Sequence, residues 1–388
     1  MSEERKHAIL SASSAHRWLI CAPSARLEEQ FPDSESEHAK EGTLAHKICE
    51  LKVSQKFIKK QSAATFKKKL KKLQENELYQ KEMEGYTEEY LDYISGIVHS
   101  FDQTPYIAVE KQVDYSHVAP EGFGTCDCII IGGDTMHIVD FKYGKGVHVS
   151  AGENPQLKLY AEGALKAYGV FYPIKRVLMH IVQPRIDNNS QVELLTEDLG
   201  LWVEAIRPLA EQAYKGEGDF KPSEETCRFC RAKNTCRARA DKNLELAKKD
   251  FSMPPILSND EVGEILKKAR DIKQWVADLE EWTLKELLKG GTVTGWKAVE
   301  GRSVRTFADQ EKAFEILIGS GIDEALLYER KALTLTGVEK LIGKKEFNEL
   351  LADQVVKPQG KPTLAPQEDK REAITLRSSA EEDFKEEI

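Results

Sequence analysis

The middle third of the chain carries short runs of aliphatic and β-branched residues separated by glycine and aspartate. Three such runs follow one another closely, at residues 106–115, 124–133 and 135–144. Glycine pairs and Gly-Asp steps are typical of tight turns, so the pattern predicts neighbouring strands of a mostly antiparallel sheet. A fourth β-branched run, at 175–186, predicts another strand.

Segments with helical character surround these strands. Charged, helix-forming sequence covers about residues 37–96, and further helices are predicted at 154–169 and from about 197 to 215. At 10–23 the sequence predicts a capped helical start that leads into a cysteine-bearing turn. The order helix, three strands, helix, strand indicates an α/β core.

The pattern changes near residue 246, and the chain divides into four predicted segments. The core domain covers residues 1–245, and residues 246–258 form a linker. Residues 259–356 make a mainly helical C-terminal region, and residues 357–388 make an extended tail that ends in acidic sequence. No catalytic signature is visible beyond residue 250, so we expect this part to contact DNA or a partner protein.

The C-terminal region contains its own start and stop signals. Ser258 or Asn259 is the expected N-cap of a long helix that ends at the paired glycines near residue 290. Residues 295–307 predict a short strand pair, followed by two or three helices. Thr336 and Glu339 have the spacing of a capping box.

Charge is distributed unevenly along the chain. The net charge of −9, from 56 basic and 65 acidic residues, argues against a protein that binds nucleic acid over its whole surface. Between Lys56 and Lys72, however, eight lysines occur without any acid. This stretch is either a surface for phosphate groups or a solvated helix face, and the sequence leaves both open.

Several classes of protein are disfavoured by what the sequence lacks. The first twenty residues have no unbroken apolar core of the kind found in signal peptides, and no run of eighteen apolar residues occurs. We therefore expect a cytoplasmic protein that does not contact a membrane. The chain has no P-loop, which disfavours an ATP-driven helicase.

Two of the predicted strands carry a carboxylate–lysine pattern. Asp140 and Lys142 are two residues apart, so both point to one face of their strand, and Asp127 lies on the strand before. An aspartate that faces inward from such apolar strands is costly to bury unless it binds a cation or another partner. Carboxylates on adjacent strands hold Mg²⁺ well, and a nearby lysine can stabilise developing negative charge.

The surrounding motifs extend this pattern. His46 ends the sequence GTLAH, Glu110 lies on the preceding strand, and Gln156 and Tyr160 share one face of the following helix. With Asp127, Asp140 and Lys142, these motifs resemble the RecB-like branch of the PD-(D/E)XK nucleases, over about residues 8–240. That branch includes the RecB and AddB nuclease domains and CRISPR-associated exonucleases.

The resemblance implies a fold and a set of site residues. The fold would be a restriction-endonuclease-like α/β core, with a central mixed sheet flanked by helices. His46, Asp127 and Asp140 would be the ligands of Mg²⁺ or Mn²⁺. The full catalytic set would be His46, Glu110, Asp127, Asp140, Lys142, Gln156 and Tyr160. In this sequence Asp140 replaces the glutamate of many relatives, and Thr125-Cys126 replaces the proline before the first aspartate.

Three of the seven cysteines cluster within ten residues. Cys227, Cys230 and Cys236 have the spacing C-x₂-C-x₅-C, which indicates metal binding in a reducing compartment. A [4Fe–4S] cluster and structural zinc are both chemically possible. In the AddB and CRISPR-associated relatives, a lone upstream cysteine completes the set, and by resemblance Cys21 would do so here. The cluster would then close a loop of about 200 residues.

The other cysteines and the basic residues near the cluster give further expectations. Cys126 and Cys128 flank Asp127, and we expect both on the opposite strand face, packed as small apolar residues. Five positive charges surround the cluster, either as part of a DNA channel or as a generic basic loop. They are Arg228, Arg231, Lys233, Arg237 and Arg239.

The sequence therefore predicts a metal-dependent DNA exonuclease. The resemblance extends to phage and prophage nucleases with a helical C-terminal extension, which implies a role in DNA recombination, replication or repair. DNA ends or single-stranded regions would be the substrate, and phage recombination or single-strand-binding proteins are candidate partners. The alternatives are a catalytically inactive iron–sulfur DNA-binding protein and a zinc-containing scaffold of a phage particle or replication complex.

Overall fold

A five-stranded mixed sheet forms the centre of the protein. The computed structural model describes residues 8–32, 37–247, 259–299, 309–320, 323–328, 334–351 and 354–355. The strands are β1 (Tyr106–Asp114), β2 (Phe123–Gly132), β3 (Thr135–Phe141), β4 (Arg176–Gln183) and β5 (Asn188–Leu195). Their spatial order is β1-β2-β3-β4-β5, and every pair is antiparallel except β3 and β4, which are parallel. The predicted α/β class with a central mixed sheet is confirmed.

Thirteen α-helices are present in the described parts of the chain. Those up to residue 296 are α1 (Ala15–Trp18), α2 (Ser24–Leu27), α3 (Glu37–Val53), α4 (Ala63–Gln74), α5 (Met83–His99), α6 (Pro155–Tyr168), α7 (Thr196–Lys215), α8 (Glu224–Arg228), α9 (Arg237–Ala247) and α10 (Asn259–Leu288). Beyond it lie α11 (Gln310–Gly319), α12 (Leu335–Ile342) and α13 (Lys344–Leu351). No helix in the described ranges is long and apolar enough to cross a membrane.

The chain forms two compact units, residues 1–296 and residues 297–388. The predicted long helix is α10, which belongs to the first unit; Asn259 is its first residue, and the other predicted N-cap, Ser258, lies outside the described residues. The capping box at Thr336 and Glu339 is wrong. Thr336 lies inside α12, and Thr334 caps that helix by accepting the N–H of Gly337 at 3.2 Å.

Some predicted segments fall on residues that the structure does not describe. Residues 248–258 of the linker and the whole of the 357–388 tail are among them. The predicted strand pair at 295–307 also lies mostly outside the described residues, and residues 295–299 are not strand.

Helices cover both faces of the sheet. On one face, which we call the α6 face, Leu157 and Ala161 of α6 and Val203 of α7 pack against β-strand residues such as Ile129 and Ile138. On the opposite face, the α3 face, buried residues of α3 and α5 pack against other strand residues. They are Leu44, Ala45, Ile48, Tyr90 and Ile94, against Ile130, Val139 and Phe141.

The edge strand β5 was not predicted. Its sequence, NNSQVELL, is mostly polar, and its residues alternate between half-buried and exposed. Among the residues that the structure describes, β5 pairs with β4 only, and an edge strand suits polar side chains. Asp187 starts it from a left-handed conformation (φ 54°), which aspartate tolerates better than most residues.

Two buried histidines connect the sheet to α5. His137 Nδ1 and His180 Nε2 are 2.9 Å apart, and His180 Nδ1 lies 3.0 Å from the hydroxyl of Tyr93. Both imidazoles are almost fully buried. Burial, with Arg176 nearby, lowers the pKa of His137 to about 4. Burial and the neighbouring His137 lower the pKa of His180 to about 3.

Because these histidines stay neutral when folded, the free energy of unfolding should fall in mild acid. Below about pH 6.5 the imidazoles of the unfolded chain bind protons, whereas those of the folded chain stay neutral. The stability that these histidines contribute is therefore fully present above that pH and is lost as pH falls. At pH 5 each imidazole should cost about 2 kcal/mol. Urea unfolding at pH 7 and pH 5 measures this. The double variant His137→Gln/His180→Gln should lose less on acidification, and an equal loss would contradict the assignment.

A buried ion-pair group attaches α10 to the cysteine region. The guanidinium of Arg239 is buried and donates to Asp278 at 2.7 Å, with Asp271 at 3.4 Å. Lys233 also lies 3.0 Å from Asp278. Arg239 is therefore not available to DNA, and its assignment to a basic channel is wrong. Arg237, two residues earlier, is exposed.

Replacing Arg239 by methionine should therefore destabilise the first unit. Asp271 and Asp278 would remain buried without their main counter-charge, which costs about 3–5 kcal/mol. Chemical denaturation of the full chain measures the loss. Arg237→Met is the matched control and should leave the unfolding free energy within about 0.5 kcal/mol of wild type. Equal stability of the two variants would contradict the structural role of the ion pairs.

Candidate metal centre and cysteine pocket

The candidate metal centre lies where β2 and β3 stop pairing. Their ladder ends at the pair Cys128–Val139. At the residue before Cys128, a side chain replaces the backbone as hydrogen-bond acceptor. The Oδ2 atom of Asp127 accepts the backbone N–H of Phe141 at 2.7 Å. Beyond the ladder, β3 continues to pair with β4 as far as Phe141–Val182. The carboxylate of Asp127 thus sits at the point where the two strands separate.

The side-chain alternation also changes at this point. Cys128 packs on the α3 face, whereas Cys126, two residues away, packs on the α6 face. The prediction that the two cysteines are buried as small apolar residues is confirmed, but their placement on one face is wrong. On the neighbouring strand, Glu110 has φ 46°, an unusual value for a non-glycine residue. This local distortion accompanies the change of face, and such strain is often found at functional sites.

His46 of α3 meets the two acidic residues of the strands. Its Nδ1 lies 3.3 Å from Asp127 Oδ1 and 3.8 Å from Glu110 Oε1. Buried neighbours such as Ala45 and Ile48 fix α3 on the sheet, and the imidazole packs edge-on against Phe141 at 5.3 Å between centroids. One ligand atom from each of His46, Glu110 and Asp127 fits within a group no wider than 4.8 Å.

This donor set fits a single divalent cation. Two ligands at right angles about an ion with bonds of about 2.1 Å lie about 3 Å apart, close to the distances between His46 and the carboxylates. His46, Glu110 and Asp127 also line one surface pocket, together with Cys49 and Glu50. About 30% of the His46 and Glu110 side chains is exposed, so an ion and a substrate can reach them.

Strong charge coupling holds this group together. Burial alone would lower the pKa of His46, but Asp127 and Glu110 outweigh it and raise the pKa to about 10. In turn the imidazolium overcomes the burial of Asp127 and lowers the pKa of that carboxyl. The imidazolium of His46 is therefore a counter-charge of the Asp127 and Glu110 carboxylates.

A second cluster connects Asp140 to α6. Lys142 Nζ lies 2.9 Å from Asp140 Oδ2 and donates to Gln156 Oε1 at 3.0 Å. Gln156 Nε2 in turn donates to Asp140 Oδ1 at 3.1 Å and to the Tyr160 hydroxyl at 3.3 Å. Asn154 caps α6 by accepting the N–H groups of the first turn, which fixes the position of Gln156.

The pKa values of Asp127 and Asp140 are shifted in opposite directions, downwards for Asp127 and upwards for Asp140. Burial and the charge of Asp127 raise the pKa of Asp140, whereas Lys142 opposes this shift. Burial would lower the pKa of Lys142, but the Asp140 carboxylate outweighs it and raises that pKa. Lys142 therefore keeps its positive charge within reach of the site.

All seven residues named from the sequence lie in these two clusters. The close three-ligand group contains Glu110 with His46 and Asp127, whereas the carboxylate of Asp140 binds Lys142 and Gln156. The assignment of Asp140 as a metal ligand stays a prediction.

Sequence reasoning missed the residue that shapes the loop between Lys142 and α6. Gln183 is almost fully buried, and its Nε2 donates to the carbonyls of Gly144 and Val147 at 2.6 and 2.8 Å. Its Oε1 accepts from Val149 N–H and from Asn188 Nδ2. No sequence motif marks Gln183. Its role is visible only from its burial and from its contacts with a loop that is distant in sequence.

The four cysteines named from the sequence line one pocket. Cys21, Cys227, Cys230 and Cys236 surround about 320 Å³ of space that is open to solvent. Burial raises the pKa of the Cys21 and Cys227 thiols and raises that of Cys230 to about 12. The N–H of Lys221 points at Cys21 Sγ, at 3.4 Å.

The N-terminal segment reaches the cysteine loop through protein contacts as well. Glu28 is buried and pairs with Arg17 at 2.7 Å. Its other carboxylate oxygen accepts the backbone N–H of Arg231 at 2.7 Å. Nearby, Arg26 Nε donates to the carbonyl of Tyr214 and its guanidinium lies over the ring of the same residue. These contacts hold the segment that carries Cys21 against the region of the other three cysteines.

Comparison with known proteins adds the following findings. Among solved structures, the crystal structure of SSO0001 matches over 56% of this chain and 95% of that chain, with 15% identity and a TM-score of 0.24. A similarity of this size carries no argument about this protein. Residues 7–372 match the model of a family described as "Protein of unknown function (DUF2800)", and the chain therefore belongs to the DUF2800 family.

Proposed function

We propose that this protein is a metal-dependent deoxyribonuclease of the RecB-like PD-(D/E)XK type, and that it acts as an exonuclease on DNA ends or single-stranded regions. The observation that carries the proposal is the meeting of His46, Glu110 and Asp127 beside the Asp140–Lys142 pair, at the point where β2 and β3 separate. Recombination, replication or repair of phage DNA is the setting that the motif resemblance suggests.

His46, Glu110 and Asp127 would hold the divalent ion. A bound Mg²⁺ or Mn²⁺ activates water and neutralises charge on a phosphate. The histidine would lose its proton to act as a ligand, so the metal would replace the imidazolium as the cation that balances the two carboxylates. The partial exposure of His46 and Glu110 leaves room for a phosphate next to the ion.

Lys142 would supply the second positive charge. It is held between Asp140 at 2.9 Å and Gln156 at 3.0 Å, so its ammonium is fixed before substrate arrives. From that position it could donate a hydrogen bond to a phosphate oxygen or orient the attacking water. A preorganised donor of this kind costs no reorganisation during the reaction. Gln156 would keep Lys142 in place, and Tyr160 would support Gln156.

We also propose that the four cysteines hold a [4Fe–4S] cluster. In a zinc site with bonds of about 2.3 Å, the sulfur atoms lie about 3.8 Å apart. Among the described residues, no three cysteine sulfurs fall within 4.8 Å of one another. This wider spacing of the sulfur atoms, together with the resemblance of the C-x₂-C-x₅-C motif and the lone upstream cysteine to cluster-binding relatives, supports a cluster over a single zinc ion. The cluster would join the N-terminal segment to the end of the core.

The nuclease proposal predicts metal-dependent loss of linear DNA. Wild-type protein, purified anaerobically, should degrade end-labelled linear DNA with Mg²⁺ or Mn²⁺ but not with EDTA, and should spare closed circular DNA. Lys142→Ala should lower the rate by about 100-fold or more, because a preorganised charge is lost. The position of the released label gives the polarity.

The matched control is Lys175→Ala. Lys175 is an exposed lysine that precedes β4, at the end of the strand far from Lys142. This variant should cleave at the wild-type rate. If wild type and both variants bind DNA and leave every substrate intact, the protein is instead a catalytically inactive DNA-binding protein.

The cluster proposal predicts a brown protein with broad visible absorbance and close to four iron atoms per chain. Cys21→Ser and Cys227→Ser should each lose most of the iron and colour, because each removes a ligand. Cys49→Ser, which changes a cysteine outside the four-cysteine pocket, should keep the iron and the colour. A colourless protein with one zinc per chain would favour the zinc-containing alternative, and metal-free protein would exclude both.

A further inference from the structure

A strongly basic segment lies next to the candidate metal centre. The eight lysines between Lys56 and Lys72 stand in a chain whose net charge is −9, and no acid occurs among them. All eight are exposed. None of the five on α4 has an ion pair within 4.0 Å in the described part of the chain. They are Lys67, Lys68, Lys69, Lys71 and Lys72.

The helix α4 holds these lysines in a fixed array. Ser62 caps it by accepting the N–H of Thr65 at 3.2 Å, and Leu70 and Leu73 pack against the core on the α3 face. The lysines therefore occupy the flanks and the outer side of the helix. Pairs of lysines four residues apart repel one another and weaken the helix slightly. Binding of a polyanion to these lysines would relieve this repulsion.

The position of α4 relates this array to the pocket. It packs against α3, the helix that contributes His46, Cys49, Glu50 and Val53 to the wall of the metal pocket. A π-helical turn, Ser54–Ile58, follows α3 directly and leads towards α4. Such turns occur often at functional sites.

Electrostatics agree with this proximity. Burial and Glu110 raise the pKa of Glu50, and Lys47 and Lys69 oppose the shift. Lys47 is exposed and directly follows His46 on α3. Glu50 lines the metal pocket, so Lys69 of α4 lies close enough to a residue of that pocket to influence its charge.

We propose that the lysines of α4, with Lys47, form the surface that binds the phosphate backbone of a nucleic-acid strand as it enters the metal centre. The identity of the polyanion as nucleic acid rests on the proposed function. Contacts of this kind neutralise phosphates and carry no base specificity. They would supply affinity and register, and the metal centre would supply the chemistry.

A strand of nucleic acid suits this surface better than a membrane. Helices that bind membranes insert an apolar face between lipids and keep basic residues at the rim. In α4 the apolar residues Leu70 and Leu73 are already used for packing on the protein core. From Lys67 to Lys72 every exposed residue of α4 is a lysine, and a row of exposed ammonium groups attracts phosphates.

The test is DNA binding in EDTA, where no cleavage occurs. Fluorescence anisotropy with a labelled single-stranded oligonucleotide, over a range of salt concentrations, compares wild type with Lys68→Gln/Lys71→Gln/Lys72→Gln. Each phosphate contact contributes about 0.7 to the slope of log K against log salt. Loss of three contacts should reduce the slope by about 2 and weaken binding about ten- to hundred-fold at 0.1 M salt.

The controls separate local contacts from net charge and from folding. Lys175→Gln/Lys215→Gln/Lys289→Gln removes the same charge from exposed lysines outside α4 and should bind like wild type. The corresponding triple arginine variant of α4 should keep the binding. Glutamine and lysine have similar helix propensities, so circular dichroism should be unchanged.

The inference is overturned if the α4 triple variant keeps the affinity and salt slope of wild type, or if the control triple variant loses as much affinity as the α4 variant. Binding of the same variants to phosphatidylserine vesicles is measured in parallel. Unchanged DNA binding with loss of vesicle binding in the α4 variant would indicate a membrane surface instead. Because binding is measured without cleavage, an inactive wild-type protein that still needs α4 for DNA would contradict only the nuclease proposal.

Discussion

The contact between the Asp127 carboxylate and the backbone N–H of Phe141 determines how the candidate site is built. Where the β2–β3 ladder ends, a side-chain oxygen replaces the backbone carbonyl that would otherwise accept this hydrogen bond. The buried N–H of Phe141 therefore keeps a hydrogen-bond acceptor, and an unpaired buried N–H would be costly. It also fixes one carboxylate oxygen and directs the other towards His46. A structural hydrogen bond thereby positions a functional group.

The site collects groups from both faces of the sheet around that point. His46 comes from α3 on one side, and Gln156 and Tyr160 come from α6 on the other. The separation of β2 and β3 lets groups from the two faces meet at one site. The imidazolium of His46 lies against Asp127 and Glu110, and the ammonium of Lys142 lies against Asp140, so each part of the site pairs carboxylate with cation.

Distant parts of the chain are held together by buried charge. Glu28 ties the N-terminal segment to the backbone of the cysteine loop, and Arg239 ties α9 to α10. Buried ion pairs of this kind contribute little net stability, but each partner is costly to leave alone. They therefore specify which segments meet. The pocket with four cysteines follows from this arrangement, since Cys21 reaches its partners through Glu28 and its neighbours.

The sequence by itself determined the α/β class, most strands and helices, and the residues of the candidate site, because hydrophobic periodicity and local motifs are properties of short segments. It missed β5, whose polar edge-strand pattern is weak, and it placed Cys126 and Cys128 on one face. The backbone distortion at Glu110, opposite this part of β2, accompanies a break in the alternation on which that prediction depended. Only the tertiary structure decided that Arg239 is buried, that Gln183 shapes a loop, and that Glu110 joins His46. These outcomes depend on contacts between residues far apart in sequence, which no local pattern encodes.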